Sequence, residues 1–413
     1  MKHWIASLGL AISATLAHAE PPGAFELDGA LAFARATPDQ YLLAYSSAEE
    51  GNHINIWGRM LNVDGSPAGK DFRMSTMSGQ MSKPVVGYNP VTQKFLVVWS
   101  RKLYDEDRAE IIGLNVGIDG KIVGQEFRIS LPDMFNQRPA LAYCPASDRF
   151  LVTWTKGPDY DFEHGIADIY GQFIGDDGTH LLGSNFVIAS AAKNQFKSDV
   201  ACDTVNDRFM VVWEDQRNDA TQDDVYGQVI ASDGTMLGGN FLVAGTSDLE
   251  RRPVLAANKD GRYLVVWESV AGESSNLYSR MIDSSGKLLG EPIQVGSNIG
   301  GTRNRAAVAY LKQEDVFFVV WDNSAFDDLS DGIYGQFVES RGTLRQTAFP
   351  MTTANMDQYR PHLAAGRNTF LAVWTDFRDT EDQDKKHHVY EYYGRVIGSD
   401  MALSARWRNP DSK

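Results

Sequence analysis

Six basic side chains recur in the sequence at intervals of 53 to 59 residues, and each stands at the beginning of a short apolar segment. They are Lys83, Arg138, Lys197, Arg252, Arg305 and Arg360. The planar guanidinium of Arg holds carboxylates through two parallel hydrogen bonds, and the Lys ammonium adds a compact positive charge. If the repeats close into a ring, these side chains converge. They are then candidate ligand-binding residues for an anionic ligand, such as a uronate or a sulfated sugar.

A structural role explains the same pattern. In this alternative, each base pairs with an aspartate of its own or the following repeat, and the pairs tie the repeats together. The N-terminal repeat has Asp28 where the others have a base. The two interpretations differ in outcome, because ring pairing satisfies the basic groups whereas ligand binding requires that some of their donors remain accessible.

Acidic residues crowd the segments that follow the second apolar strand of several repeats. Calcium takes several oxygen ligands from flexible loops, so Asp215, Asp223 and Asp224 are candidate metal ligands, and calcium is the one cofactor that the sequence suggests. His387 and His388, beside further acids, are candidates for a transition metal. No DxDxDG run is present, and acidic loops also keep an exported protein soluble. Solvated carboxylates are therefore the alternative.

The candidate catalytic residues are His362, His387, Tyr160 and Arg360. A lyase that acts on uronate polymers needs an Arg or a metal to neutralise the carboxylate and a His or Tyr to remove the neighbouring proton. These residue types are present, but their spacing favours none of them, and the sequence contains neither a GxSxG nor an HExxH motif. A polysaccharide lyase is therefore the enzymatic alternative to a binding protein.

The elements that position these residues form a repeat. Seven short apolar strands each end on a large aromatic residue, which we call the anchor: Tyr45, Trp99, Trp154, Trp213, Trp267, Trp321 and Trp374. The third repeat shows four strands separated by turn signals, with the sequences RPALAY, RFLVTW, DIYGQFI and FVIAS. Four short strands in about 50 residues are typical of one β-propeller blade. The sequence therefore predicts an all-β fold, a seven-bladed β-propeller of four-stranded antiparallel blades.

A single propeller domain is predicted for residues 20–413. Its predicted blades are 24–76, 82–131, 137–190, 196–245, 251–297, 304–353 and 359–408. The last blade is completed by residues 402–407 or by residues 24–27, and we favour the C-terminal segment because it completes its own repeat. In the third strand of each blade, the glycine of segments such as IYGQ and VYGQ is predicted to let an aromatic side chain of the next blade approach the backbone.

The fullest copies of the repeat are VVWEDQR with DDVYGQ in the fourth unit and AVWTDFR in the seventh. These segments resemble the secreted bacterial propeller repeats built around a VVWxDxR and DIYGQ pattern, and the resemblance covers all seven units. It implies a propeller fold, since that group is defined by its repeat and not by a shared reaction. The second and fifth units depart from the pattern, with WSRK and WESV after their apolar strands.

Residues 1–19 have the parts of a signal peptide: Lys2, an apolar run over 5–16, and Ala-His-Ala at 17–19. The sequence therefore predicts a periplasmic or secreted protein, and no later segment is apolar enough to cross a bilayer. Cys144 and Cys202 occupy the same strand of consecutive repeats. An oxidising compartment permits a disulfide between them, and two separate buried thiols are the alternative.

The formal net charge of −15 at pH 7 argues against nucleic acid or anionic lipid as the main partner, since both are held by clustered Lys and Arg. The leading hypothesis is a monomeric binding module for a carbohydrate or for an envelope or extracellular protein, through the loop face that carries the basic residues. A uronate-polymer lyase and an envelope scaffold are the alternatives.

Overall fold

The computed structural model describes residues 28–49, 53–104, 106–159, 165–218, 223–324, 332–352, 357–376, 391–398 and 403–408. These residues form 28 β-strands. None of them belongs to a helix that could span a membrane. The predicted signal peptide, Tyr160, His387 and His388 lie outside the described residues.

The strands pair antiparallel in chain order, and we call each run of four consecutive strands a blade. Blades one and two comprise β1 (Gly29–Ala34), β2 (Gln40–Glu49), β3 (His53–Asn62), β4 (Phe72–Arg73), β5 (Gln80–Asn89), β6 (Lys94–Lys102), β7 (Ala109–Gly117) and β8 (Ile122–Arg128). Blades three and four comprise β9 (Phe135–Cys144), β10 (Arg149–Gly157), β11 (Asp168–Ile174), β12 (Leu181–Ala189), β13 (Gln195–Asp203), β14 (Arg208–Asp215), β15 (Asp224–Ala231) and β16 (Met236–Ala244). Blades five to seven comprise β17 (Leu249–Ala257), β18 (Tyr263–Ala271), β19 (Ser274–Ile282), β20 (Leu288–Val295), β21 (Thr302–Leu311), β22 (Val316–Ser324), β23 (Gly332–Glu339), β24 (Leu344–Pro350), β25 (Gln358–Ala365), β26 (Thr369–Asp376), β27 (Glu391–Gly398) and β28 (Leu403–Arg408).

Five of these blades are separate four-stranded sheets, and blades two and three share an eight-stranded sheet. Their connection is one parallel bridge between Ala109 and Phe135. The C-terminal strand β28 pairs with β27, which confirms that the C-terminal segment completes its own blade. Blades one and seven are in contact, since Arg367 binds both oxygens of Asp39 at 2.7 and 2.8 Å. The blades therefore close into a ring.

The core lies between adjacent blades and is centred on the second strands. Trp99, Trp154, Trp213 and Trp321 are fully buried, and the apolar residues before them are buried on both faces of their strands. In two blades the indole N–H donates to the aspartate two residues later, from Trp213 to Asp215 at 2.7 Å and from Trp374 to Asp376 at 2.9 Å. The WxD pattern therefore satisfies a buried donor.

Two blades without this aspartate supply another acceptor from the first strand. Trp267 donates to Glu250 at 2.6 Å, and Trp154 donates to Asn136 at 2.8 Å. In blade four the pattern extends to Arg217, which binds Asp215 and stacks 4.2 Å from the ring centre of Tyr226. The sequence departures in blade five thus preserve the same hydrogen bond by a different route.

The prediction for the third-strand glycines is wrong in one respect. A β-carbon on Gly227 would lie 2.9 Å from Phe241, and one on Gly171 would lie 2.9 Å from Phe186. Each phenylalanine belongs to the fourth strand of the same blade and not to the next blade, because Gly227 and Phe241 are paired neighbours in the β15–β16 ladder. The glycine therefore packs the outer strand onto its own blade.

Cys144 and Cys202 form a disulfide between β9 and β13, the first strands of blades three and four. Their Cα atoms are 5.4 Å apart, which is within the usual range for a disulfide. The alternative of two separate thiols, which the sequence left open, does not describe this structure. The bond links two neighbouring blades covalently near the centre of the ring.

We expect the double variant Cys144→Ala/Cys202→Ala to be less stable by up to about 4 kcal/mol, since the disulfide closes a long loop in the unfolded chain. Urea unfolding followed by tryptophan fluorescence measures the difference. The reductant control should destabilise the wild-type protein and leave the variant unchanged. Two reactive thiols in the denatured, unreduced wild-type protein would contradict the assignment.

Candidate functional site: the central channel

The first strands of the seven blades surround a central cavity of about 530 Å³. Each strand contributes four consecutive residues to the lining. The first of these residues is Asp28, Lys83, Arg138, Lys197, Arg252, Arg305 or Arg360. The structure therefore brings all six predicted ligand-binding residues to one cavity, and we call the six bases the basic ring. The volume is within the range of sites for small molecules.

A β-bulge places each base of the ring. All six have left-handed backbone conformations, with φ between 46° and 56°. In blade five, Arg251 pairs with Glu268 and Val254 pairs with Val266, so Arg252 and Pro253 together oppose the single anchor Trp267. The same register shift occurs in the other five blades that carry a base. The bulge bends the strand and re-aims its side chain, which explains how a residue inside the strand reaches the channel.

The first strands also begin two or three residues before the ring position, whereas the sequence repeats indicated a start at the base. Residues 80–82 of β5, for example, pair with residues 100–102 of β6 before the bulge at Lys83. The basic ring therefore lies within the sheet and not at its end.

Hydrogen bonds to the preceding blade hold the left-handed residues in place. The backbone N–H of the base donates to the side chain that directly follows the anchor of that blade. These bonds are Arg138 N to Ser100 at 3.1 Å, Lys197 N to Thr155 at 3.1 Å, Arg252 N to Glu214 at 2.7 Å and Arg305 N to Glu268 at 2.5 Å. A left-handed non-glycine residue costs on the order of 1 kcal/mol or more. Contact with the neighbouring blade offsets this cost.

Largely buried carboxylates pair with the bases of the ring. The pairs are Lys83–Asp28 at 2.9 Å, Arg360–Asp28 at 3.1 Å, Lys197–Glu214 at 3.3 Å, Arg252–Glu268 at 3.3 Å and Arg305–Asp322 at 3.8 Å. The side chains of these acids are at most 13% exposed, whereas those of the bases are 21% to 36% exposed. The pairing that the structural alternative predicts is present, and the bases nevertheless line the cavity, together with Asp28.

Glu268 is a residue that the sequence analysis missed. It directly follows the anchor Trp267, in the position of Glu214 and Asp322 in the neighbouring blades. The fifth repeat lacks the acids that follow later in the loops of its neighbours, so its first acid does not stand out in the sequence. Aligning the repeats on their anchors identifies Glu268, because it then falls beside Glu214 and Asp322.

Asp28 links three blades at the closure of the ring. Burial alone would raise the pKa of Asp28, but the Lys83 ammonium and the Arg360 guanidinium outweigh it and hold the pKa well below its usual range. Asp28 is therefore ionised at neutral pH. Sequence analysis placed it in the ring, and the structure adds that it pairs with a base on each side.

The imidazole of His362 faces the channel beside Asp28. Its Nε2 accepts a hydrogen bond from the backbone N–H of Gly29 at 3.2 Å. Burial lowers the pKa of His362 to about 4, although Asp28 opposes the shift. The imidazole of His362 is therefore neutral at pH 7.

Asp199 also lines the channel and was missed by the sequence analysis. Its carboxylate accepts the backbone N–H of Val200 and that of Leu255 in the next blade, both at 2.9 Å. Burial raises the pKa of Asp199 to about 6, although these two hydrogen bonds oppose the shift. An acid within an apolar first strand carried no repeat signal, because it lies two residues beyond the ring position, where five of the other six blades have Val or Ala.

The candidate metal ligands of blade four are bound by protein donors. Asp215 accepts from Trp213 and Arg217, Asp223 accepts from Arg251 and Gln216, and Asp224 accepts from Asn218. Within the described ranges, no three His, Cys, Asp or Glu residues are grouped as a metal site would require. Calcium binding stays a prediction that this hydrogen bonding does not support. His387, His388 and Tyr160 lie outside the described residues.

Comparison with known proteins identifies the fold. No family model and no curated protein matches the chain. A protein of unknown function from Dyadobacter fermentans superposes with a TM-score of 0.55 at 10% identity, over 80% of this chain and 96% of that one. The β-propeller domain of the Trilobed protease from Pyrococcus furiosus gives a TM-score of 0.53 at 12% identity, over 94% and 97%. An α-L-arabinofuranosidase of Fusarium graminearum in complex with arabinobiose gives 0.53 at 14% identity, over 77% and 93%. The chain is thus an all-β protein with the β-propeller fold.

The buried Asp322 generates a pH prediction. Burial raises the pKa of Asp322 to about 7, and Glu268 adds to the shift whereas Arg305 opposes it. In the unfolded chain the same carboxyl ionises near pH 3.8, well below its pKa in the folded protein. The stabilisation that protonated Asp322 contributes is therefore complete below that pH and is lost as the pH rises through about 7. Relative to Asp322→Asn, the wild-type protein should lose at least about 1 kcal/mol of unfolding free energy between pH 4.5 and 7.5.

Urea unfolding of both proteins at the two pH values tests this. Asp233→Asn is the control, because Asp233 lies at an exposed turn where its pKa is lowered by hydrogen bonds from Thr235. That control should not reproduce the loss. A difference between wild type and Asp322→Asn that is constant with pH would contradict the prediction.

Proposed function

We propose that this protein is an exported, seven-bladed β-propeller that binds an anionic carbohydrate at the mouth of its central channel. One observation carries the proposal. Six Lys and Arg side chains, each placed by a bulge in a different blade, converge on a cavity of about 530 Å³. Of the acids that pair with them, Glu214, Glu268 and Asp322 are absent from the cavity lining and Asp28 alone belongs to it, so the ring position is basic in six blades although the whole chain is acidic.

Charge and geometry support a carboxylate or sulfate as the group that is bound. An Arg guanidinium has five N–H donors in a fixed fork, and one carboxylate partner behind it occupies only part of them. Arg252 pairs with Glu268, Arg305 pairs with Asp322, and both guanidinium-bearing residues also line the cavity. Donors fixed by their pairing lose little conformational freedom when a ligand arrives, which favours binding.

The solved neighbours are compatible with a carbohydrate ligand, but they do not favour it over other ligands. They include the arabinofuranosidase and a Hadza microbial sialidase, but also the Trilobed protease domain and a puromycin hydrolase. At these identities the likeness carries the fold alone, so the basic cavity is the reason for proposing an anionic sugar. A protein partner and an envelope scaffold remain outcomes of the test.

The lyase alternative receives less support from the channel. Among its candidate bases, His362 uses Nε2 to accept the Gly29 N–H, so this nitrogen is occupied. The other two, His387 and Tyr160, lie outside the described residues. We therefore propose a binding role, in the periplasm or outside the cell, as the N-terminal segment and the resemblance to secreted propeller repeats imply.

A glycan array, followed by calorimetry with the hits, tests the proposal. The mature protein should bind uronate-containing or sulfated sugars and not their neutral counterparts. Arg252→Gln and Arg360→Gln should each weaken binding at least about tenfold, since a hydrogen bond to a charged group contributes roughly 1.5 to 3 kcal/mol. Arg280→Gln is the matched control, because Arg280 bonds to Gly290 on an exposed face away from the cavity.

Two results would overturn the proposal. One is the absence of binding to every anionic glycan with and without calcium. The other is binding that both ring variants leave unchanged. In either case, pull-down from envelope extract would show whether a protein is the partner instead.

A further inference from the structure

The position two residues beyond the ring position is polar in only two blades. The residues there are Ala30, Val85, Ala140, Asp199, Val254, Ala307 and His362, all of which line the channel. Two residues along a strand correspond to a step of at most about 7 Å. Asp199 and His362 therefore lie just inside the basic ring, on a wall that is otherwise aliphatic at this level.

These two side chains lie on opposite sides of the channel. Asp199 belongs to blade four and His362 to blade seven, so two blades separate them in one direction and three in the other. Both are partly exposed although their strands are packed in the centre of the molecule. A ligand that enters along the channel axis passes between them.

Their hydrogen-bonding capacities are complementary. Each oxygen of Asp199 accepts one backbone N–H and retains further acceptor capacity. Because Nε2 of His362 accepts the Gly29 N–H, the proton of the neutral imidazole is on Nδ1, which is a donor. The lowered pKa of His362 agrees with this neutral form. An acceptor and a donor at the same level of the channel lining suit hydroxyl groups, which both donate and accept.

We propose that Asp199 and His362 determine specificity by binding the hydroxyl groups of a small uronic acid whose carboxylate is held by the basic ring. This inference rests on the proposed function and narrows the ligand class to a monosaccharide or short oligosaccharide that enters end-on. Simple anions would meet the ring but leave the two polar side chains without ligand contacts. Neutral sugars would meet the two side chains but not the ring.

The test compares two carboxylates of similar size. Galacturonate carries hydroxyls, and cyclohexanecarboxylate does not. Calorimetry on the mature wild-type protein should give galacturonate at least a tenfold higher affinity. Asp199→Ala and His362→Ala should each reduce that ratio to less than threefold. Alanine fits the backbone at this position, since blades three and six have Ala140 and Ala307 there. Val85→Ala, at the same level in blade two, should leave the ratio unchanged.

The outcomes separate the two proposals. If both acids bind equally well, and Arg252→Gln weakens both, the ring site stands and the inference about Asp199 and His362 is overturned. The inference is also overturned if the alanine variants keep the wild-type ratio. If neither acid binds, the inference about Asp199 and His362 fails, and the proposed function is decided separately by the glycan array. Asp199 also accepts a hydrogen bond from the backbone N–H of Leu255, so the folding of Asp199→Ala is checked by thermal unfolding. If Asp199→Ala does not fold, His362→Ala decides the result.

Discussion

The bulge opposite each of the six tryptophan anchors is the constraint on which the rest of the structure depends. Two residues of the first strand, a base and its successor, share the space across from one tryptophan. The successor is proline in four blades, as at Pro253, and proline fits a bulge because no ladder N–H is needed there. The anchor thus fills the space between blades and displaces the base toward the axis. Core packing and the channel surface are consequences of the same local geometry.

The repeat made most of the fold predictable, because an apolar strand with a terminal aromatic recurs at nearly constant spacing. The ring residues followed from that register. The bulge was not predictable, since nothing in Lys83-Pro84 distinguishes a strand start from a distortion inside a strand. Asp199 and Glu268 were missed for the opposite reason: each is a single departure within an otherwise regular segment. The close approach at Gly227 was predicted correctly, but its partner was not, because periodicity does not distinguish neighbours within a blade from neighbours between blades.

Pairing of the basic ring does not exclude a ligand. The two roles would compete if acids and bases lay side by side at the surface. Here Glu214, Glu268 and Asp322 come from second strands outside the cavity lining, and they are almost fully buried. A buried carboxylate orients the guanidinium and limits its movement, which is how a second layer of hydrogen bonds supports a binding group. The ion pairs between blades therefore stabilise the ring and also prepare it for an anion.

Blade one differs from the other six blades, and the channel is therefore not symmetric about its axis. Its anchor is Tyr45, whose hydroxyl bonds to Asp71 at 2.6 Å, and its ring position is Asp28 in place of a base. A perfect ring of seven cations would bind an anion in seven equivalent orientations. The acid at Asp28, beside His362 and opposite the blades that carry Lys197 and Arg252, removes that equivalence. An anionic group is repelled from one sector and attracted to the others, so a ligand has one preferred orientation, and only an oriented ligand can use two unlike side chains deeper in the channel.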